Sequence, residues 1–418
     1  MKFKSIKGTK DILPDESHLW QSVEQHIRSV METYNYKEIR TSVFEETSLF
    51  ARSIGELTEI VGKEMYSFID RSGDSLTLKP EMTAAVIRSY IQHNLGKKQP
   101  LTKVYYLSPA FRQERPQAGR LRQFHQFGAE AIGGSNPEID AEIISLSAAI
   151  YKKFGITEFE VRINSVGCQK CREEYKFILK SFLSAIANKL STESQRKIDT
   201  NPMRVLDSKD ENDKQLTIGA PLIKDYLCDE CRIHFEKLQS LLQIAGVDYV
   251  VDGRIVRGLD YYTKTAYEII SNELGSQDAL TGGGRYDLLV SELGGKPTPS
   301  VGFAAGMERL IMILKKRNKL NVTAPHPKLF IAAMDDKSRN RVFQEIFKLR
   351  NQGISCETDL LNRSLKAQMR EADRQQADYV IVIGENEINS NRVSMKAMRT
   401  GIQQEISLDE LPNYLTGN

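Results

Sequence analysis

The densest chemistry in this 418-residue chain lies in Phe111–Glu130, FRQERPQAGRLRQFHQFGAE. Arg112, Arg115, Arg120 and Arg122 fall within eleven residues, opposed only by Glu114, and Pro116 and Gly119 punctuate the stretch as a loop. A guanidinium is planar and donates two parallel hydrogen bonds at fixed geometry, which suits phosphate and carboxylate oxygens. A solvated basic turn would use the same residue types, so the following segment decides. If Gln123–Ile132 is a strand, side chains alternate between its faces, and Phe124, Gln126, Gly128, Glu130 and Ile132 share one of them. Gln126 and Glu130 then flank a glycine that leaves space above the sheet, the floor of a site for a small polar ligand.

Other elements must position that loop. Leu19, Trp20, Val23, Ile27, Val30, Met31 and Tyr34 recur at steps of one, three and four, which predicts an amphipathic helix near the start. Met65–Asp70 and Asp74–Leu78 read as strands about the turn Arg71-Ser72-Gly73, Glu81–His93 as a helix after Pro80, and Val104–Leu107 as a buried strand. From about Cys168 to Ser240 the apolar residues return to helical spacing, and strand signals resume at Asp248–Val251 and Tyr261–Ile270. A helix-rich block between strand-rich blocks predicts an insertion within one domain. Glycines concentrate at Gly282-Gly283-Gly284, read as a turn or as a close approach of backbone to ligand. A helix is expected from Gly306 to about Arg317, and the polar stretch Asn318–Lys328 reads as a linker. Beyond it, strands at Leu329–Met334, Ile354–Leu361 and Tyr379–Gly384 alternate with helices at Arg339–Asn351 and Ser364–Gln376, which predicts a small α/β domain.

Composition bounds the class. With 40% hydrophobic and 27% charged residues the chain is a globular protein of about two or three domains. The net charge of +3, from 58 basic and 55 acidic residues, means that any basic surface must be local. No run approaches the length of a membrane span. The start, MKFKSIKGTKDILP, lacks the apolar stretch of a secretory signal. Five cysteines then read as reduced thiols in a cytoplasm.

FRQERPQAGRLRQFHQFGAEAIG resembles motif 2 of the class II aminoacyl-tRNA synthetases, and specifically of the histidyl-tRNA synthetase family. KGTKDILP, YKEIRTSVFEETSLFARSIGE, KPEMTA at Lys79–Ala84, RGLDYYTKTAYE at Arg257–Glu268, GGGRYD at Gly282–Asp287 and GFAAGMERL at Gly302–Leu310 are similar to that family in the same order. The resemblance implies an α/β (α+β) fold with an antiparallel-sheet catalytic core over residues 1–325, a helical insertion at about 168–240, and a mixed α/β anticodon-binding domain over 326–418. It implies activation of L-histidine by ATP with Mg2+, transfer to tRNA(His), and a homodimer, with no membrane or DNA partner. Arg112 would hold the α-phosphate and the histidine carboxylate, Arg257 would add a cation at the α-phosphate, Arg309 would meet the γ-phosphate, and Glu114 would lie on the nucleotide side. An imidazole offers one donor and one acceptor nitrogen, so Glu130 would accept from one and the Tyr262 hydroxyl would bond the other. Glu81, Thr83 and Gln126 would contact the substrate amine and carboxylate, Tyr261 and Tyr286 would line the pocket, and Arg115, Gln117, Arg120 and Arg122 would meet the tRNA acceptor end.

The match has departures. Asn35 and Ser42 stand where motif 1 usually has Gly and Pro, Ala304 stands where motif 3 often has Gly, and KAMRTG at Lys396–Gly401 departs from the family's acidic pattern. Cys168, Cys171, Cys228 and Cys231 form two CxxC pairs bracketing the insertion, the right bite for a tetrahedral structural zinc. Four reduced thiols at loop–helix junctions is the other reading, and Cys356 reads as core. Two other functions stay open. One is a histidine-sensing regulatory paralogue serving an ATP phosphoribosyltransferase, and the other is a tRNA-binding sensor without catalysis. Both are disfavoured by the intact set Arg112, Arg257 and Arg309.

Overall fold

In the strand QFHQFGAEAI the even positions point one way and the odd positions the other, and the two faces lead into the two main cores of the chain's first unit. The computed structural model describes residues 3–54, 60–116, 120–208, 210–256, 261–274, 279–317 and 323–417. The chain falls into two compact units, Met1–Val322 and Thr323–Asn418.

The strands of the first unit are β1 (Lys37–Glu38), β2 (Phe44–Glu46), β3 (Tyr66–Ile69), β4 (Ser75–Leu78), β5 (Thr102–Phe111) and β6 (Gln123–Ile132). They continue with β7 (Glu160–Ser165), β8 (Tyr249–Val251), β9 (Thr263–Ile270), β10 (Ala279–Arg285) and β11 (Ser300–Gly306). Eight of them form one sheet in the order β1-β5-β6-β11-β10-β9-β7-β8. Its six central strands are antiparallel, and the outer pairs β1/β5 and β7/β8 are parallel. β2, β4 and β3 make a separate antiparallel sheet of three.

One face of the large sheet, with Tyr105, Phe127, Ala129, Ala131, Tyr267 and Phe303, packs against the helices Pro14–Thr33, Pro137–Lys153 and Met307–Lys316. The first of these begins with Pro at its N-terminal turn beside Asp15 and Glu16, which complement the exposed backbone N–H groups there. It buries Leu19, Trp20, Val23, Ile27, Val30 and Met31, while Tyr34 is half-buried against the same core. Asn35 ends it at φ +61°, a left-handed conformation that Asn tolerates almost as Gly does. The departure from Gly at that position therefore leaves the turn intact.

The opposite face, with Val104, Tyr106, Ile132 and Ala266, packs against Thr83–Gln92, Tyr286 and the helical insertion up to residue 227, while the insertion's last helix joins the first core through Phe235, Leu238 and Leu242. The insertion's main helices are Gln169–Ala185 and Asp229–Ile244, so the helical block runs four residues past the expected Ser240. Between them Asp213 collects the backbone N–H of Ser191 at 2.8 Å and the hydroxyls of Ser191, Ser194 and Ser208 at 2.6, 2.6 and 2.8 Å, which fastens the short helices together.

The second unit has the five strands β12 (Leu329–Ala333), β13 (Cys356–Thr358), β14 (Tyr379–Ile383), β15 (Arg392–Ala397) and β16 (Gln403–Ser407), in the order β13-β12-β14-β15-β16. The first three are parallel and are crossed by the helices Asp336–Arg350 and Leu365–Arg374, while β15 and β16 form an antiparallel hairpin on the edge. The sheet is thus mixed. The expected strand Ile354–Leu361 shortens to β13, because Leu360 and Leu361 are exposed. Cys356 is buried in this unit's core. Among the described residues no helix is long and apolar enough to cross a membrane.

Candidate active site

β5 and β6 form a long hairpin, and the arginine loop is the connection between them. Arg112 donates its backbone N–H to the Arg122 carbonyl at 2.9 Å and so closes the base of the loop. The Arg112 side chain is aimed by two contacts: Nε donates to the Pro80 carbonyl at 2.9 Å, and the guanidinium lies 5.3 Å from the Phe124 ring centre. Arg120 sits 3.4 Å from a Glu114 carboxylate oxygen, and Arg112 sits 3.8 Å from the other. Arg309 stands in the first turn of Met307–Lys316 and donates to the Ala279 carbonyl. Burial, with Arg120 and Arg112 nearby, lowers its proton affinity. Three cations thus converge, with Glu114 among them.

They share a cavity with a second set of residues. Its lining includes Arg112, Arg120, Arg309, Glu114 and Glu308 on one side, and Glu81, Thr83, Gln126, Tyr261, Tyr262 and Tyr286 on the other. Glu81 is buried and accepts from the backbone N–H of Thr83 at 2.7 Å and of Ala84 at 2.9 Å, the free donors at that helix's start. Its carboxyl is nevertheless held above the usual range by burial. The carbonyl oxygen of the Gln126 side chain is buried with no hydrogen-bond partner among the described residues. A buried acceptor of this kind is costly unless a ligand completes it. Tyr261 packs tilted against Tyr262 at 4.7 Å and edge-to-face against Tyr286 at 5.6 Å between ring centres.

Glu130 differs from its expected position in one respect. It is fully buried behind the cavity wall and is absent from the lining. Its carboxylate accepts from the hydroxyls of Thr83 at 2.8 Å, of Tyr106 at 3.4 Å and of Tyr286. Burial pushes its carboxyl up to about 8; the hydroxyls offset this only in part, and the neighbouring Glu81 carboxylate raises it further by repulsion. The space read above Gly128 is also filled. A side chain there would meet the Tyr106 hydroxyl at 2.4 Å and the Phe303 carbonyl at 2.1 Å. Across the ladder from Glu130, Gly302 holds the vacancy instead: a Cβ there would lie 1.6 Å from the Glu130 carboxylate. The ligand floor is therefore Gln126 with Thr83 and Tyr286 in front of Glu130, rather than an open position at Gly128. Gly282-Gly283-Gly284 is not a turn. It lies inside β10, where a Cβ on Gly283 would meet the Gly302 carbonyl at 2.5 Å.

Arg115 is exposed, while Arg122 is half-buried and donates to the Glu114 carbonyl at 3.3 Å. Neither lines the cavity. Arg257 and Gln117 lie outside the described residues. Three residues without an assigned role prove to support the site. Tyr106 pairs across the ladder with Gly128 and fills its space. Glu308 accepts from the His125 backbone N–H at 2.9 and 3.0 Å and contacts its ring nitrogen at 2.9 Å. Arg285, in GGGRYD, is buried and donates to Asp140, Asp287 and the carbonyls of Gly134 and Asn136, which binds β10 to the helix Pro137–Lys153. A strand register would have exposed the tyrosine–glycine pairing, but one sequence does not contain it.

The two CxxC pairs meet. The four Sγ atoms lie within 4.8 Å of one another, with Cys168–Cys171 at 3.6 Å and Cys168–Cys228 at 3.8 Å, and all four thiols are free. Zn–S bonds of about 2.3 Å directed to a tetrahedron's corners put neighbouring sulfurs about 3.8 Å apart, so the donor set and spacing fit zinc.

Comparison with known proteins gives the same direction from independent data. A family profile described as histidyl-tRNA synthetase matches residues 8–310, and one described as an anticodon binding domain matches 329–418. The histidine–tRNA ligase of Caldanaerobacter subterraneus subsp. tengcongensis is 50% identical over 412 residues, 98% of this chain and 99% of its own. That of Chloroherpeton thalassium is 50% identical over 410 residues, 97% of this chain and 96% of its own. The crystal structure of apo S. aureus histidyl-tRNA synthetase matches with a TM-score of 0.84 at 38% identity, covering 99% of each chain. A structure titled as an ATP phosphoribosyltransferase regulatory subunit/histidyl-tRNA synthetase from Bacillus halodurans shares the fold, with a TM-score of 0.64 at 22% identity, covering 91% of this chain and 98% of that one.

Proposed function

The chain belongs to the histidyl-tRNA synthetase family and is a histidine–tRNA ligase that uses ATP, and from that premise we propose how its residues divide the work. The supporting observation is that one cavity is lined by three arginines on one side and by a tyrosine- and hydroxyl-rich pocket on the other.

Activation joins two anions. A histidine carboxylate oxygen attacks the α-phosphorus of ATP, the bond to the β-phosphate's bridging oxygen breaks, and pyrophosphate leaves with that electron pair. Positioning and electrostatic stabilisation supply most of the catalysis in such a transfer. Arg112, pre-aimed by Pro80 and Phe124, holds the carboxylate against the α-phosphate, and Arg257 is assigned a second cation there. Arg309 takes the γ-phosphate and Glu114 lies on the nucleotide side. Mg2+ bound with ATP would supply charge neutralisation, and Glu114 and Glu308 are the carboxylates on the arginine side of the cavity that would hold it. In the second step the 3′-terminal ribose hydroxyl of tRNA(His) attacks the activated carbonyl and AMP departs. Arg115, Gln117, Arg120 and Arg122 are assigned to the acceptor end, although Arg120 also lines the cavity.

Histidine selection rests on Tyr262 and Glu130 for the two ring nitrogens, with Thr83 and Tyr286 tying Glu130 to the wall. Glu81, Thr83 and Gln126 take the amine and carboxylate, Gln126 bringing an acceptor that still needs a donor. Such a pocket rejects analogues because their absence leaves buried polar groups unpaired. Residues 326–418 are assigned to the anticodon, the catalytic chemistry to 1–325, and the four thiols to a structural Zn2+. A cytoplasmic homodimer completes the proposal. The regulatory alternative has less support, since the anticodon-type module gives the chain a reason to bind tRNA.

The test is histidine-dependent ATP–pyrophosphate exchange, run beside charging of tRNA(His). Both activities should be present in the full chain. Histidine binding without exchange would leave the arginines idle and favour the regulatory alternative.

A further inference from the structure

The first and last long helices of the insertion begin at one point. Cys168 immediately precedes the helix Gln169–Ala185, Cys228 immediately precedes Asp229–Ile244, and the Cys228 backbone N–H donates to the Cys171 sulfur at 3.1 Å across 57 residues of sequence. Cys171 and Cys231 are buried and the other two half-buried, so four thiolates would close the coordination sphere and leave no position for a substrate.

The cluster is also joined directly to the wall of the histidine pocket. Gly167, next to Cys168, accepts the Lys264 backbone N–H at 3.0 Å, and Val166 donates its N–H back to the Lys264 carbonyl at 2.7 Å. Gly167 is packed against the cluster so closely that a Cβ there would lie 2.6 Å from the Cys171 Cβ. Lys264 takes a left-handed φ of +49°, and its ammonium binds Glu230, between Cys228 and Cys231, at 2.7 Å. Two residues before Lys264 is Tyr262, and the intervening Thr263 accepts the Asp287 backbone N–H at 3.1 Å, beside Tyr286. A left-handed, non-glycine residue is strained unless its surroundings hold it, and here both of its backbone hydrogen bonds run to the cysteine side.

We propose that Zn2+ bound by Cys168, Cys171, Cys228 and Cys231 positions Tyr262 through Gly167 and Lys264, so that metal occupancy sets the affinity for histidine. This rests on reading the Tyr262 pocket as the histidine site. Lys264 is a positioning residue: it touches no substrate, and it transmits the fixed start of the insertion's helices to the beginning of β9, which Tyr261 and Tyr262 directly precede. Without the metal, nothing strong holds the four thiols together, the starts of the insertion's first and last helices separate more readily, and the ladder at Lys264 loosens. Linkage then requires the converse, that bound histidine tightens the hold on zinc.

The experiment uses the purified full chain. Elemental analysis should find about one zinc per chain, cobalt(II) exchanged for it should give the intense visible bands of a tetrahedral thiolate site, and Cys168→Ser/Cys228→Ser should remove both signals. The rate at which a chromogenic chelator extracts zinc is then followed with and without saturating histidine, a readout that needs no metal-free protein. Histidine should slow extraction about tenfold. Zinc-depleted chain should show a raised KM for histidine with the KM for ATP little changed, restored by added zinc. Absence of zinc, iron in its place, or extraction indifferent to histidine would overturn the proposal. Zinc bound one per chain with no histidine binding would instead overturn the reading of the pocket and leave the metal site standing.

Discussion

Glu130 is a carboxyl group sealed from water whose neighbours donate from hydroxyls alone, and its proton affinity follows from that. Its folded value of about 8 lies above the ordinary 4.5. Between those two pH values the unfolded chain has released the proton and the folded chain retains it, so unfolding stability falls as pH rises through this window and levels off above it. Glu130→Gln removes that dependence. Urea unfolding at pH 5.5 and pH 8.5 should show wild type losing on the order of a few kcal/mol more than the variant. Equal slopes would mean that Glu130 is solvated in solution. The same variant should raise the KM for histidine, because an amide is a weaker acceptor for the Thr83 and Tyr286 hydroxyls that Glu130 holds at the pocket's wall. Arg112 belongs to the same scale. Arg112→Ala should slow pyrophosphate exchange about 10²- to 10³-fold, the usual cost of deleting one preorganised donor. The loss of its bond to Pro80 should cost only about 1 kcal/mol of stability. Exchange at the wild-type rate would remove Arg112 from the chemistry.

Elements meet where single side chains span them. Arg285 is buried at the end of β10, and Asp140, also buried, stands in the first turn of Pro137–Lys153. Arg285→Leu leaves that carboxylate with the His234 ring nitrogen, 3.5 Å away, in place of its guanidinium partner and should cost about 3–5 kcal/mol in denaturant unfolding, whereas Arg285→Leu/Asp140→Leu should recover much of it. A single variant as stable as wild type would show that water reaches Asp140. This helix also explains a limit of pattern reading. Ala141, Ile143, Ile144, Leu146, Ala148 and Ile150 are all buried, so it presents no wide polar stripe for the helical period to reveal. The first helix, with one apolar face and solvent on the other, is legible from its spacing alone. β15 does alternate, with Val393 and Met395 buried between exposed Arg392 and Ser394, whereas the edge strand β16 exposes Gln403, Gln404 and Glu405 in a row, so burial imposes little alternation on it.

At the scale of the whole molecule two compact units serve one reaction, and their separation is testable. Removing residues 323–418 should leave histidine-dependent exchange within a few-fold of wild type and reduce charging of tRNA(His) far more, with a salt dependence that changes because phosphate contacts are lost. Exchange that collapses along with charging would mean that the second unit supports the active site itself. The sequence by itself determined the reaction through its resemblance to one family, because the arginine loop, the paired tyrosines and the glycine triplet that carry the resemblance are each local in the chain. Tertiary structure alone decided which of them touch. That Gly128 is covered by Tyr106, that Gly302 rather than Gly128 makes room for Glu130, and that Cys171 meets Cys228 across the insertion are all consequences of strand register and long-range packing. Those are fixed by the summed burial of two cores, which no single segment encodes.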